Sequence, residues 1–189
     1  MSFVGCVTEI YAQEPLEGLI AHAVSDPEGK TVHTFPTYPD AESRRRLPIG
    51  VFDSGLGGLT VLEAIYGLDA FHNETLQPGS DGRPDFEKER FIYLGDQANM
   101  PYGNYSSTGK ADFLRELVLK DAIFLLGTRQ RTMAGNTADQ TKLPVKAIVI
   151  ACNTATAVGL DDIRDALLET LEDRHPRDRR GRGRCRGVP

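Results

Sequence analysis

Three short apolar runs, each followed by a polar turn and then a helical repeat, constrain this chain more than anything else in it. They are Pro48 to Asp53 (PIGVFD), Arg90 to Gly95 (RFIYLG) and Val145 to Cys152 (VKAIVIAC). Each is rich in β-branched or aromatic residues and too short for a helix, so each reads as a buried strand. The first helix starts near Gly57 and carries Leu59, Leu62, Ala64, Ile65 and Tyr66. The second runs from Lys110 to Leu126, with Leu114, Leu117 and Val118 at helical spacing and the stripe broken at Asp121. The third runs from Ala155 to Leu171, with Leu160, Ile163, Leu167 and Leu171 along one side. Strand–helix alternation implies βαβ units with right-handed crossovers. Near-continuous apolar strands need cover on both faces. The expected fold is α/β, a doubly wound parallel sheet in three layers, α/β/α.

The chain has 189 residues, a length that suits one domain. The strand–helix pattern occupies residues 48–172. Residues 1–47 read as an extension: Cys6 to Tyr11 and Thr31 to Phe35 alternate as a hairpin would, and Pro36, Pro39 and Arg44 to Arg46 read as linker. Asp69 to Glu89 and Thr128 to Leu143 are polar, carry glycines, and read as long exposed loops. From Pro176 to Pro189 there are six arginines against one aspartate, so residues 173–189 read as a basic, disordered tail. The rest of the chain is acidic, which argues against nucleic acid as the main ligand. No apolar run approaches the ~18–20 residues of a membrane span. The first residues lack the basic and apolar regions of a secretory leader. Three cysteines, Cys6, Cys152 and Cys185, are too few and too scattered for a disulfide framework or a metal site. A reducing, cytoplasmic setting is expected.

In an open parallel sheet, ligands bind beyond the carboxyl ends of the strands. Those ends carry Asp53-Ser54-Gly55-Leu56-Gly57-Gly58, then Asp96 followed by Asn99-Met100-Pro101-Tyr102-Gly103, then Cys152-Asn153-Thr154. A dinucleotide fingerprint fails, because its third glycine position is Thr60. A phosphate loop fails too: Gly103 to Gly109-Lys110 is one residue too long and continues with Ala111. Gly57 and Gly58 serve either a tight turn alone or a ligand seated on a helix N-terminus. Cys152 is either a small buried hydrophobe or a thiol activated at the start of a helix. Asp53 is either a helix cap or a group that orients an amine or moves a proton. Tyr102 either packs on the sheet edge or meets a ligand, and Asp96 reads as a turn former. His22, His33, His72 and His175 lie in or near loops and offer Cys152 no local partner. Cys6 and Cys185 read as incidental.

Taken in order, Asp53 to Val61 (DSGLGGLTV), Pro101-Tyr102-Gly103 and Ala151 to Ala155 (ACNTA) resemble the glutamate racemases of the aspartate/glutamate racemase superfamily, over roughly Leu47 to Leu171. The resemblance implies a racemase that needs no cofactor or metal, with an active site between two similar α/β domains. It implies that Cys152 is a catalytic thiol supported by Asp53. It implies that Asp53, Ser54, Tyr102, Gly103, Asn153 and Thr154 bind substrate, and that D-glutamate is supplied for peptidoglycan. The family's second thiol sits in a Gly-Cys-Thr-His type segment. None occurs here, and Cys185 lies in Gly183-Arg184-Cys185-Arg186-Gly187. The expectation is therefore an N-terminal domain with half the active site, which alone racemises poorly or not at all, and whose uncovered apolar face favours self-association or aggregation. The other readings are a racemase for aspartate or another amino acid, and a non-catalytic binding module.

Overall fold

A computed structural model describes residues 2–3, 40–130 and 140–174. In chain order the elements are β1 (Ser2–Phe3), α1 (Ala41–Arg45), β2 (Ile49–Asp53), α2 (Leu59–Tyr66), β3 (Phe91–Gly95) and α3 (Gly103–Ser107). Then follow α4 (Ala111–Leu126), β4 (Arg129–Gln130), β5 (Gln140–Thr141), β6 (Ala147–Ile150) and α5 (Asn153–Arg174). The sheet has the order β1-β3-β2-β6, and every neighbouring pair in it is parallel.

The side-chain period of two divides the strands cleanly between faces. Val51 and Tyr93 point with Ile49, Phe91 and Val149 into the cluster under α2, centred on Leu62. Phe52 and Leu94 point with Ile92, Ile148 and Ile150 to the opposite face, under α4 and α5. In register, Val51 stands between Tyr93 and Val149, and Phe52 between Leu94 and Ile150. The chain leaves β2 toward β3 through α2 on one face, then crosses back to β6 through α4 on the other. That reversal is what doubly wound means, and the expected α/β class is the one observed.

The core is heavier on the α4/α5 side. There α4 buries Leu114, Leu117, Val118, Leu119, Ala122, Ile123 and Leu125, a face wider than the stripe visible in the sequence. Helix α5 meets it so closely that a Cβ at Gly159 would lie 2.4 Å from Val118 Cγ1. A bidentate ion pair crosses the same seam: Arg115 Nε donates to Asp162 Oδ2 at 2.8 Å and Arg115 Nη2 to Oδ1 at 2.6 Å.

Four details differ from the sequence reading. Residues Ala41–Arg45, read as part of a linker, form a helix whose N-cap Asp40 accepts from the Ser43 amide at 2.7 Å. Lys146 Nζ donates to the Arg45 carbonyl and ties this helix to the foot of the sheet. The stretch after β3 contains α3, a single turn too short for periodicity to reveal. The Thr128 to Leu143 stretch begins and ends in an antiparallel pair, Arg129 opposite Thr141 and Gln130 opposite Gln140. Beside it, burial pushes the Lys142 amine down to about 8 while it donates to the Leu125 and Gly127 carbonyls at the end of α4. The third strand is shorter than Val145 to Cys152, although Val145 itself is fully buried.

Asp69 to Glu89 is a loop, as expected, and its aspartates replace regular pairing. Asp69 accepts from the Asp81 and Gly82 amides, Asp81 from Asn73, and Asp85 from Ala70 and Phe71. Short acids satisfy backbone donors where no ladder does. The proposed hairpin at Cys6 to Tyr11 and Thr31 to Phe35, the linker prolines and residues 175–189 of the basic tail lie outside the described residues, while Asp173 and Arg174, read as the start of that tail, continue α5.

Candidate active site

The loops after β2, β3 and β6 meet at one rim because their strands are adjacent and parallel. Asp53 ends β2, and its carbonyl accepts from the Asp96 amide at 2.9 Å, which joins the first two loops. Its side chain turns back to cap the next helix: Asp53 Oδ2 accepts from the Gly58 amide at 2.8 Å. The Tyr93 hydroxyl reaches the same oxygen at 3.3 Å, and the Gly55 carbonyl at 2.8 Å. Burial, and then the negative charge of Asp53, hold the Tyr93 hydroxyl above its ordinary pKa. Tyr93 is thus a second-row support that the sequence reading passed over. Its signal was only a hydroxyl on an inward strand position.

Gly58 has no left-handed backbone to explain it. Its reason is space: an added Cβ would lie 2.8 Å from the Cβ atoms of both Asp53 and Ala151. Both neighbours are fixed to strand ends, so neither can swing away. Gly58→Ala should push the α2 turn off Asp53 and cost about 1–3 kcal/mol. Urea unfolding measures it, and an unchanged midpoint would show slack in a turn this packing leaves tight.

Cys152 sits immediately before α5 and caps it. Its Sγ accepts from the Ala155 amide at 3.4 Å, and its carbonyl accepts from the Thr156 amide at 3.0 Å and the Thr156 hydroxyl at 2.9 Å. The same sulfur donates to Ser54 Oγ at 3.5 Å. The thiol is 8% exposed, so it lies at the edge of the core and touches the rim. Of the neighbouring predicted residues, Ser54 and Thr154 are half-buried and Asn153 is exposed. The structure therefore brings Asp53, Ser54, Cys152, Asn153 and Thr154 to one edge.

Tyr102 and Gly103 reach that edge through the loop after β3, which starts at Asp96 and contains a cis Met100–Pro101 peptide. The Tyr102 ring is 1% exposed, and its hydroxyl donates to Asp96 Oδ2 at 2.7 Å and approaches Asp121 Oδ2 at 2.9 Å. Burial first, then the charges of Asp121 and Asp96, hold the phenol above its ordinary pKa. The Tyr102 phenol is thus committed to these two acids, and Gly103 is exposed beside it. Asp96, read as a turn former, is 5% exposed, and its carboxylate also accepts from the Asn99 side-chain Nδ2 at 2.9 and 3.0 Å. An open cavity of about 300 Å³ flanks this turn, lined by Asn99, Met100, Pro101, Asn104, Tyr105 and Lys110 among others. Neither Cys152 nor Asp53 lines it. Among the described residues no three His, Cys, Asp or Glu side chains gather as a metal site, and no helix is long and apolar enough to cross a membrane.

Comparison with known proteins finds curated relatives that match part of this chain. The chain is 38% identical over 122 residues to a glutamate racemase of Clostridium novyi, an alignment covering 64% of this chain and 33% of that protein. It is 35% identical over 122 residues to a glutamate racemase of Thermus thermophilus, covering 65% and 34%. To one of Clostridium botulinum it is 33% identical over 118 residues, covering 62% and 32%. The chain spans about a third of the length of these curated relatives. No family model matches it. No solved structure matches it.

Proposed function

We propose that this chain, a homologue of the glutamate racemases over nearly two thirds of its length, supplies one of the two acid–base groups that interconvert L- and D-glutamate. One observation carries the reading: a single thiol, capping α5 and in contact with Ser54, stands beside a buried, doubly bonded Asp53 at the carboxyl edge of a parallel sheet. Edges of this kind are where α/β folds bind small ligands.

The step assigned to Cys152 is a proton transfer. As thiolate it takes the Cα proton of glutamate, leaving a carbanion and a neutral thiol. The carbanion is too unstable to survive without oriented hydrogen-bond donors, a role that suits Ser54, Asn153, Thr154 and the main chain of Tyr102 and Gly103. Asp53, pinned by Gly58 and Tyr93, keeps the loop that carries Ser54 against the thiol. Inversion requires a second acid on the opposite face, and among the described residues Cys152 is the one free cysteine. The chain is accordingly assigned one face of the reaction, the reaction itself serving to supply D-glutamate for peptidoglycan. No cofactor enters this step.

Each glutamate enantiomer, incubated with the chain in D₂O, tests this. The thiol exchanges its proton with solvent and returns deuterium to the same face. One enantiomer should gain Cα deuterium with retention of configuration, and glutamate should slow alkylation of Cys152. Equal wash-in from both enantiomers would show a second acid and overturn the one-face assignment. No wash-in and no protection would overturn the racemase reading, and protection by aspartate but not glutamate would redirect it.

A further inference from the structure

The apolar stripe of α4 is interrupted at Asp121, and that acid arrives beside the Tyr102–Gly103 turn. The Tyr102 hydroxyl lies 2.7 Å from Asp96 Oδ2 and 2.9 Å from Asp121 Oδ2. A hydroxyl has one proton to donate, and here it faces two carboxyl oxygens. Asp96 already accepts from the Asn99 side-chain Nδ2 through both its carboxylate oxygens, so it is the natural acceptor for the Tyr102 proton as well. The second contact is a hydrogen bond only if Asp121 brings a proton of its own and donates it to the phenol oxygen. With both acids ionised, two negative charges would meet across one hydroxyl in low-dielectric surroundings.

The charges around the group do not relieve it. Asp96 on the loop after β3 and Tyr102 on the turn are the groups that act on Asp121. On its own helix, Arg115 is paired with Asp162 and Asp112, and Lys120 with Glu116. From α5, the acid on this seam is Asp162, already held by Arg115. From α3, the Tyr105 hydroxyl is spent on the Asn99 carbonyl at 3.0 Å. Burial, and then the charge of Asp96, outweigh the opposing Tyr102 hydrogen bond and hold the Asp121 carboxyl well above the ordinary aspartate range.

We propose that Asp121 is a positioning residue: a neutral carboxylic acid that completes an Asp96–Tyr102–Asp121 chain and fixes the Tyr102–Gly103 turn for ligand binding. Raising the pH until Asp121 ionises sets it against Asp96, loosens the turn and weakens binding of an acidic amino acid. This rests on the proposed function only in taking the turn as part of the ligand site.

Two measurements on the full chain test it. Carboxyl ¹³C NMR, with the Asp121 resonance identified by its absence in Asp121→Asn, should show a titration midpoint clearly above the ordinary aspartate value. A midpoint at or below that value overturns the proposal without any ligand. The second measurement is the apparent Kd for glutamate, taken from protection of Cys152 against alkylation on each side of that midpoint. Above it, the Kd should rise by up to about tenfold per pH unit, as binding linked to one proton requires. Asp121→Asn keeps the shape and a donor but cannot ionise, so it should lack that step. The same step in both proteins overturns the proposal while leaving the racemase reading intact. Failure of glutamate to protect at any pH counts against the racemase reading, and the carboxyl titration alone then decides the role of Asp121.

Discussion

Cys152→Ala should leave a folded chain whose exchange of the glutamate Cα hydrogen falls by about 10²–10⁴-fold, the usual worth of a positioned general base. Two roles of the sulfur have to be separated before that loss can be read. It is a core atom in the cluster with Phe52, Leu94 and Ala155, and it is the cap of α5 through the Ala155 amide. Losing a cap to alanine costs about 1 kcal/mol, and losing one buried atom adds a comparable amount. A domain of this size tolerates that. Cys152→Ser is the control. Serine is among the strongest N-cap residues, so it should recover most of the stability measured by thermal unfolding. Its hydroxyl is a far weaker acid than a thiol at neutral pH, so it should recover little of the exchange. If exchange returned in step with stability, the sulfur would be only a cap. If exchange survived in both variants, another base would be acting on Cα.

That two-role reading of Cys152 shows where sequence reasoning is strong. Strands ending at Asp53, Gly95 and before Cys152 were legible because a fully covered parallel strand must be apolar on both sides, which leaves an unbroken run. The position of the rim followed from topology, and with it the meeting of Asp53, Ser54 and Cys152. What failed to show were features set by contacts between distant segments. Asp121 read as a flaw in a helical stripe, because nothing local says that Tyr102 waits opposite it 19 residues away. Asp96 read as a turn former, which the Asn99 amide hydrogen bond to its carbonyl bears out, but nothing local says that the Tyr102 phenol folds back onto its carboxylate. The substrate-facing part of Tyr102 was open for the same reason: a Pro-Tyr-Gly turn does not say which way its ring falls. Helix α1 was missed because it buries no side chain, so it leaves no apolar period, and its signal is the Asp40 cap alone.

Gly159→Leu is expected to be the most disruptive single change to the fold. In an isolated helix the substitution would help, since glycine costs about 1 kcal/mol relative to alanine in a helix interior. Here the local gain is opposed by a seam. A Cβ alone would come within 2.4 Å of Val118 Cγ1 and 2.8 Å of Val118 Cβ. Val118 is fully buried, so it has nowhere to turn. Leucine adds three further carbons to that clash, forces α4 and α5 apart, and loosens the end of α5 that Cys152 caps. Overpacking of this kind costs about 3 kcal/mol after the helical gain is set against it. Denaturant unfolding should show the loss, and Gly159→Ala should show a smaller one of the same sign. Val118→Ala removes the atom in closest conflict and should rescue part of the Gly159→Ala loss, a coupling that distant sites do not show. A gain in stability for Gly159→Ala would mean that the two helices do not approach so closely. The position of Cys152 at the rim would then lose its main support, since α5 is held to the domain largely through α4.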